Sequence, residues 1–202
     1  MRFVLASASP ARLRTLRAAG VAPEVIVSQV DEDAIAATMT DASTAELVQQ
    51  LAIAKAQAVR PTLTGDALVL GCDSILDFGG RALGKPGTVA AATERWREMR
   101  GGRGTLYTGH CLIDTGSGRV TLGTSATEVH FADLTDDEIE LYCGTGEPSN
   151  VAGAFTIDGL GGWFVSAVEG DHHNVVGVSL PDVRRMLGEL GYSLADIGYP
   201  TP

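Results

Sequence analysis

The run Arg2-Phe3-Val4-Leu5-Ala6-Ser7-Ala8-Ser9-Pro10-Ala11-Arg12 changes character halfway along. Its first half reads as a short apolar strand. Ser9 then suits an N-cap and Pro10 the first helical position. A helix is therefore expected to about Ala19, with Gly20 ending it. A strand passing straight into a helix opens an α/β pattern that the rest of the chain continues.

Working outward, Ser43 and Glu46 have the spacing of a capping box, and Val48, Leu51, Lys55 and Val59 fall on one face of the helix that follows. Ala67 to Cys72 reads as a buried strand, and Phe78-Gly79-Gly80-Arg81 as a hairpin turn. A helix is expected over Val89–Met99, then antiparallel strands over Tyr107–Asp114 and Arg119–Phe131 around Gly116-Ser117-Gly118. Thr135 and Glu138 form a second capping-box spacing before a helix ending at Gly144. Strands over Trp163–Val168 and Val175–Val178 and a helix over Pro181–Leu190 complete the pattern. Hairpins mixed with helices make a mixed α/β sheet. No repeat, low-complexity tract or linker interrupts it, so residues 1–202 read as a single domain.

Composition limits the functions open to the chain. Its net charge of -10 argues against a surface that coats nucleic acid, yet leaves room for a small anionic substrate held by a local cluster of cations or a metal. No apolar run is long enough to span a membrane, and the first ten residues do not suit a signal peptide, so the expected location is the cytoplasm. Cys72, Cys111 and Cys143 are far apart and read as core or near-surface thiols, not as a zinc site or disulfide framework.

Four features point to chemistry. At the Ser7–Arg12 junction, two hydroxyls, a helix N-terminus and Arg12 can hold a phosphate; a capped helix with a surface arginine is the plainer alternative. Lys55 lies in an apolar stripe, where an ammonium must either be paired or snorkel to water. Asp73, read as ending an apolar strand, is desolvated unless it holds a metal, a cation or a water, or caps a turn. Gly79 to Lys85 satisfies G-x-x-x-x-G-K, but Pro86 stands where a P-loop needs Ser or Thr, so only Lys85 is kept, as a phosphate contact. Glu32, within Asp31-Glu32-Asp33, is either part of a solvated loop or a metal ligand. His172-His173 is set aside, because neighbours on a strand point to opposite faces.

In order along the chain, Leu5-Ala6-Ser7-Ala8-Ser9-Pro10-Ala11-Arg12, Ala52-Ile53-Ala54-Lys55-Ala56, Asp73-Ser74-Ile75-Leu76 and Leu83-Gly84-Lys85-Pro86 resemble the motifs of the Maf family of nucleotide pyrophosphatases. Tyr107-Thr108-Gly109, Glu147-Pro148, Ala152-Gly153-Ala154-Phe155 and Asn174-Val175-Val176-Gly177 follow in family order. The resemblance implies a fold shared with inosine triphosphate pyrophosphatases: an elongated, twisted mixed sheet with flanking helices, in two lobes around a central cleft. It also implies a nucleoside triphosphate substrate and a divalent cation, Mg2+ or Mn2+. By the same resemblance Ser7, Ser9, Arg12, Glu32 and Asp158 contact substrate, Glu32 and Asp73 hold the metal, and Asp73, Lys55 and Lys85 are catalytic.

Three positions depart from the family pattern. Ala11 replaces the first Arg of the family's SPRR, and Gly104 stands where many members have His. Asp158 stands where the pyrimidine-preferring branch has Gln. Asp158-Gly159-Leu160-Gly161 is similar to the branch linked to methylated guanine, whereas Asn174-Val175-Val176-Gly177 is similar to the pyrimidine branch, which leaves the base open. The rival readings are a nucleotide-binding regulator of septum formation without turnover and a sugar-phosphate phosphatase. A homodimer is the one assembly kept in view.

Overall fold

The structure, a computed structural model, describes residues 1–201. Seven strands, β1 (Arg2–Leu5), β2 (Glu24–Val25), β3 (Ala67–Phe78), β4 (Arg81–Leu83), β5 (Arg103–Asp114), β6 (Val120–Phe131) and β7 (Val165–Glu169), hydrogen-bond in the order β2-β1-β3-β5-β6-β7, with β4 beside β3. The sheet is mixed: β1 pairs parallel with β2 and β3, while β3/β4 and β6/β7 are antiparallel. The helices are α1 (Pro10–Ala18), α2 (Glu32–Ala37), α3 (Thr44–Val59), α4 (Val89–Met99), α5 (Asp136–Gly144), α6 (His172–Val176) and α7 (Leu180–Leu190). They form two compact units: one of Met1–Asp73, Thr108–Ser125 and the chain from Gly177 onward, the other of Ser74–Tyr107 and Ala126–Val176. Among the described residues no helix is long and apolar enough to cross a membrane.

The first unit has three layers. Strand residues alternate in direction, so Phe3, Leu5, Leu68 and Leu70 face one side and pack with Leu16 of α1 and Val183, Met186 and Leu187 of α7. Val4, Ala6, Ala67 and Val69 face the other side and pack with Ala52, Ala56 and Val59 of α3. Covered on both faces, these strands read as unbroken apolar runs. Two glycines let α3 come this close. A Cβ on Gly71 of β3 would strike the carbonyl oxygen of Ala52, and one on Gly109 of β5 would strike the backbone of Val48. In the second unit, Trp96 of α4 is fully buried, meets Phe131 and Tyr142 edge-on, and donates its indole N–H to the Ala154 carbonyl at 2.7 Å.

Both capping boxes form as their spacings predict, at Ser43/Glu46 and Thr135/Glu138. The end of the chain differs from the sequence reading. Residues 172–176 are helical, not extended. The Asp171 carboxylate accepts the His173 N–H at 2.9 Å and starts the turn, while Asn174, fully buried, donates to the Leu106 carbonyl and the Thr127 hydroxyl. His172 and His173 are therefore helical neighbours, not strand neighbours. β7 begins only at Val165, because Leu160–Phe164 forms a 3-10 turn. Asp31-Glu32-Asp33 opens α2, with Asp31 accepting the Ala34 N–H at 3.0 Å as its cap.

Replacement of Gly71 by Ala is expected to force α3 off the sheet and destabilise the protein by about 3 kcal/mol. Urea unfolding of the variant against the parent measures this, and an unchanged midpoint would contradict the close approach.

Candidate active site

Six of the residues singled out by sequence, Ser7, Ser9, Arg12, Glu32, Lys55 and Asp73, belong to the first unit; Lys85 and Asp158 belong to the second, where both are exposed. At the β1–α1 junction the Ser9 hydroxyl accepts the Arg12 backbone N–H at 3.4 Å, which makes Ser9 the N-cap with Pro10 in the first turn. Ser7 Oγ accepts the Ser9 N–H at 3.2 Å and Arg12 Nη1–H at 2.9 Å. Arg12 Nε–H is donated to the Gly177 carbonyl at 2.7 Å. Arg12 is thus no surface arginine: it is 8% exposed, and its planar fork is held by a nearby hydroxyl and by a carbonyl from far along the chain.

Lys55 does not snorkel. Its Nζ lies 2.5 Å from Asp73 Oδ1 and 2.7 Å from Glu32 Oε1, with the lysine only 6% exposed. Three elements meet at that ammonium: α3 supplies Lys55, β3 supplies Asp73, and the first turn of α2 supplies Glu32. Asp73 sits in the middle of β3 and not at a strand end, because the strand continues to Phe78. Burial pushes its carboxyl above the ordinary carboxylate range, and the charges of Lys55 and Arg12 pull in the opposite direction. Next to it, burial pushes the Cys72 thiol up to about 11. That thiol is protonated at neutral pH, which removes it as a nucleophile.

The donor set suits a hard divalent cation. Two carboxylates from separate elements already converge on one positive centre, and oxygen ligands are what magnesium and manganese take. Glu128, His130 and Glu169 form a separate group in the second unit, with ligand atoms within 4.8 Å of one another. There the His130 ring nitrogen lies 2.9 Å from Glu169 and 3.2 Å from Glu128.

The anchor that sequence reading missed is the Gly177 carbonyl. A backbone acceptor has no side-chain signature. The only signal was Gly177 itself, at the end of Asn174-Val175-Val176-Gly177, with a φ of 116° that side-chain-bearing residues rarely adopt.

A family model described as "Maf-like protein" matches residues 2–190. A nucleoside triphosphate pyrophosphatase of Streptomyces avermitilis is 53% identical, the alignment covering 98% of this chain and 95% of that protein. Proteins of the same name from Salinispora tropica, 51% identical over 100% of this chain and 92% of theirs, and Mycobacterium marinum, 50% identical over 100% and 98%, are comparably similar. Among solved structures, a nucleoside-triphosphatase / dITP/XTP pyrophosphatase from Mycobacterium abscessus aligns at 15% identity and a TM-score of 0.38, covering 66% of this chain and 74% of that one, which is too loose to carry an argument.

Lys55→Met keeps the apolar stem and removes the cation, leaving Asp73 buried beside Glu32. Breaking a buried pair in this way is expected to cost about 3 kcal/mol at neutral pH. An aspartate whose folded pKa lies above its unfolded value contributes stability at low pH that is lost as pH rises through the folded pKa. Without Lys55 to oppose burial, that pKa rises further, so the deficit of the variant should shrink as pH is lowered through the acid range. Denaturant titrations of both proteins across that range check the sign.

Proposed function

The chain belongs to the Maf family, and we propose that it hydrolyses a nucleoside triphosphate to the nucleoside monophosphate and pyrophosphate. It is a hydrolase acting on an acid anhydride. The observation that carries the mechanism is the buried Asp73 carboxylate, held with Glu32 by Lys55 and within the field of the fixed Arg12 guanidinium.

In the proposed reaction a water oxygen forms a bond to the α-phosphorus, and the bond from that phosphorus to the α–β bridging oxygen breaks. Pyrophosphate carries the electron pair away. Little covalent chemistry is left to the protein, so its contribution is positioning and charge. Asp73 orients the water and takes its proton. A carboxyl held above its usual range is the stronger base for that step. Arg12, the first-turn N–H groups of α1 and the hydroxyls of Ser7 and Ser9 bind phosphoryl oxygens, with Lys55 as a further cation. Glu32 and Asp73 are the residues that would hold Mg2+ or Mn2+, which when bound neutralises charge on phosphoryl oxygens. Lys85 keeps the role of a phosphate contact and Asp158 that of a base contact, both from the family likeness. An ionised Asp158 only accepts hydrogen bonds, so it favours a base edge that donates: cytosine's amino group, or the N1–H and amino group of guanine or methylated guanine.

We take residues 1–202 as one catalytic domain working on free nucleotides in the cytoplasm, without a nucleic-acid or membrane partner, a reading that the acidic charge supports. A homodimer is the assembly we propose for it.

Incubation with the common and modified nucleoside triphosphates should release pyrophosphate and monophosphate in equal amounts, and excess chelator should abolish this. Orthophosphate as first product would make the protein a phosphatase, and no product would make it a binder. Asp73→Asn should lower turnover by at least about 100-fold. It should not lower the melting temperature at neutral pH, since the raised pKa makes the charged aspartate a cost to the fold there. Near-normal turnover in this variant would remove Asp73 from the chemistry.

A further inference from the structure

His110 is fully buried in β5, between Gly109, which lies against α3, and Cys111 in the core. Its Nε2 accepts the backbone N–H of Ser179 at 3.0 Å. An imidazole nitrogen that accepts a hydrogen bond carries no proton, which places the proton on Nδ1. That atom faces Asp182 Oδ2 at 4.0 Å. Ser179 is the N-cap of α7, its hydroxyl accepting the Asp182 N–H at 3.2 Å, and the Asp182 carboxylate also accepts the Ser125 hydroxyl at 2.5 Å. The ring therefore holds the cap of α7 by a hydrogen bond, while its Nδ1 lies beyond hydrogen-bond distance of the Asp182 carboxylate at the third helical residue. The His110 carbonyl accepts Gln49 Nε2–H from α3 at 2.9 Å. All of these groups belong to the first unit.

Two residues before Ser179, the Gly177 carbonyl holds Arg12 Nε–H. The segment from Gly177 to Ser179 is thus fixed at one end by the imidazole and at the other by the guanidinium. Where the Gly177 carbonyl points depends on where Ser179 is held, because Val178, fully buried, is the only residue between them. We propose that His110 is a positioning residue for Arg12: it touches no substrate, but through Ser179 it sets the carbonyl that orients the guanidinium. The proposal rests on the reading of Arg12 as a phosphate-binding group.

The test is a double-mutant cycle on kcat/KM for the best-hydrolysed of ATP, CTP, GTP and UTP, with thermal unfolding of each variant. His110→Leu fills the space and removes the acceptor, and should lower kcat/KM about ten- to a hundredfold, the scale of a misplaced binding group. His110→Gln, whose amide oxygen reaches the Ser179 N–H, should restore most of it. In an Arg12→Ala background His110→Leu should cost less than about twofold more, since residues acting as a unit are not additive. If His110→Leu does not fold, His110→Asn, too short to reach Ser179, takes its place in the cycle. Equal losses with and without Arg12, or near-normal kcat/KM in the single variant, would overturn the proposal while leaving the reading of Arg12 intact. Near-normal kcat/KM in Arg12→Ala alone would overturn that reading and the proposal with it.

Discussion

One ammonium group governs the first unit. Lys55 reaches from α3 into a layer of packed strands, where a lone charge would be severely disfavoured, and two carboxylates meet it there. The pairing has exact geometric requirements on the elements that bring it about. α3 must approach β3 and β5 closely enough for the lysine to reach Asp73, which is why both strands carry glycine beneath the helix, at Gly71 and Gly109. α2 must begin at Asp31 so that Glu32 falls in its first turn beside the same nitrogen. A negative pair neutralised by a single internal cation keeps some attraction for a second one, and that residual charge is the physical basis of the proposed metal site.

The other half of the proposed site is a set of hydroxyl and backbone groups organised around the Arg12 guanidinium. β1 delivers Ser7 and Ser9 to the start of α1, and α1 returns Arg12 one turn later so that its side chain lies against Ser7. The third point of attachment comes from the segment before α7. A hydroxyl and a carbonyl are among the groups that hold Arg12, and as neutral acceptors they orient the fork without cancelling its charge.

Much of this was legible in the sequence where side chains carry the signal. Ser9-Pro10, Ser43 with Glu46 and Thr135 with Glu138 announced helix starts that the structure contains. Lys55 in an apolar stripe left two outcomes open, pairing or snorkelling, and the structure pairs it. Asp73 was found, but misjudged as a strand end, because Gly71 and a polar residue together look like a stop when the strand in fact runs on to Phe78. Val175 to Val178 looked extended because a short β-branched run has no period that separates strand from helix; the Asp171 cap decided it. The two-residue strand β2 left no trace and the Gly177 carbonyl only the glycine itself, since pairing and acceptance there are backbone properties.

Arg12 and the carbonyl that fixes it are 165 positions apart. Synthesis reaches the arginine long before it reaches the anchor. Strand β1 likewise waits for Ala67–Leu70 before it has the neighbour it pairs with in parallel. Contacts of such long sequence separation form late and slowly. A nascent polypeptide of this protein can therefore expose the serines and the helix start to passing nucleotides while still lacking an oriented guanidinium. On the proposed role of Arg12, the site stays incomplete until Gly177 has been made, and a product terminated before that residue lacks the anchor.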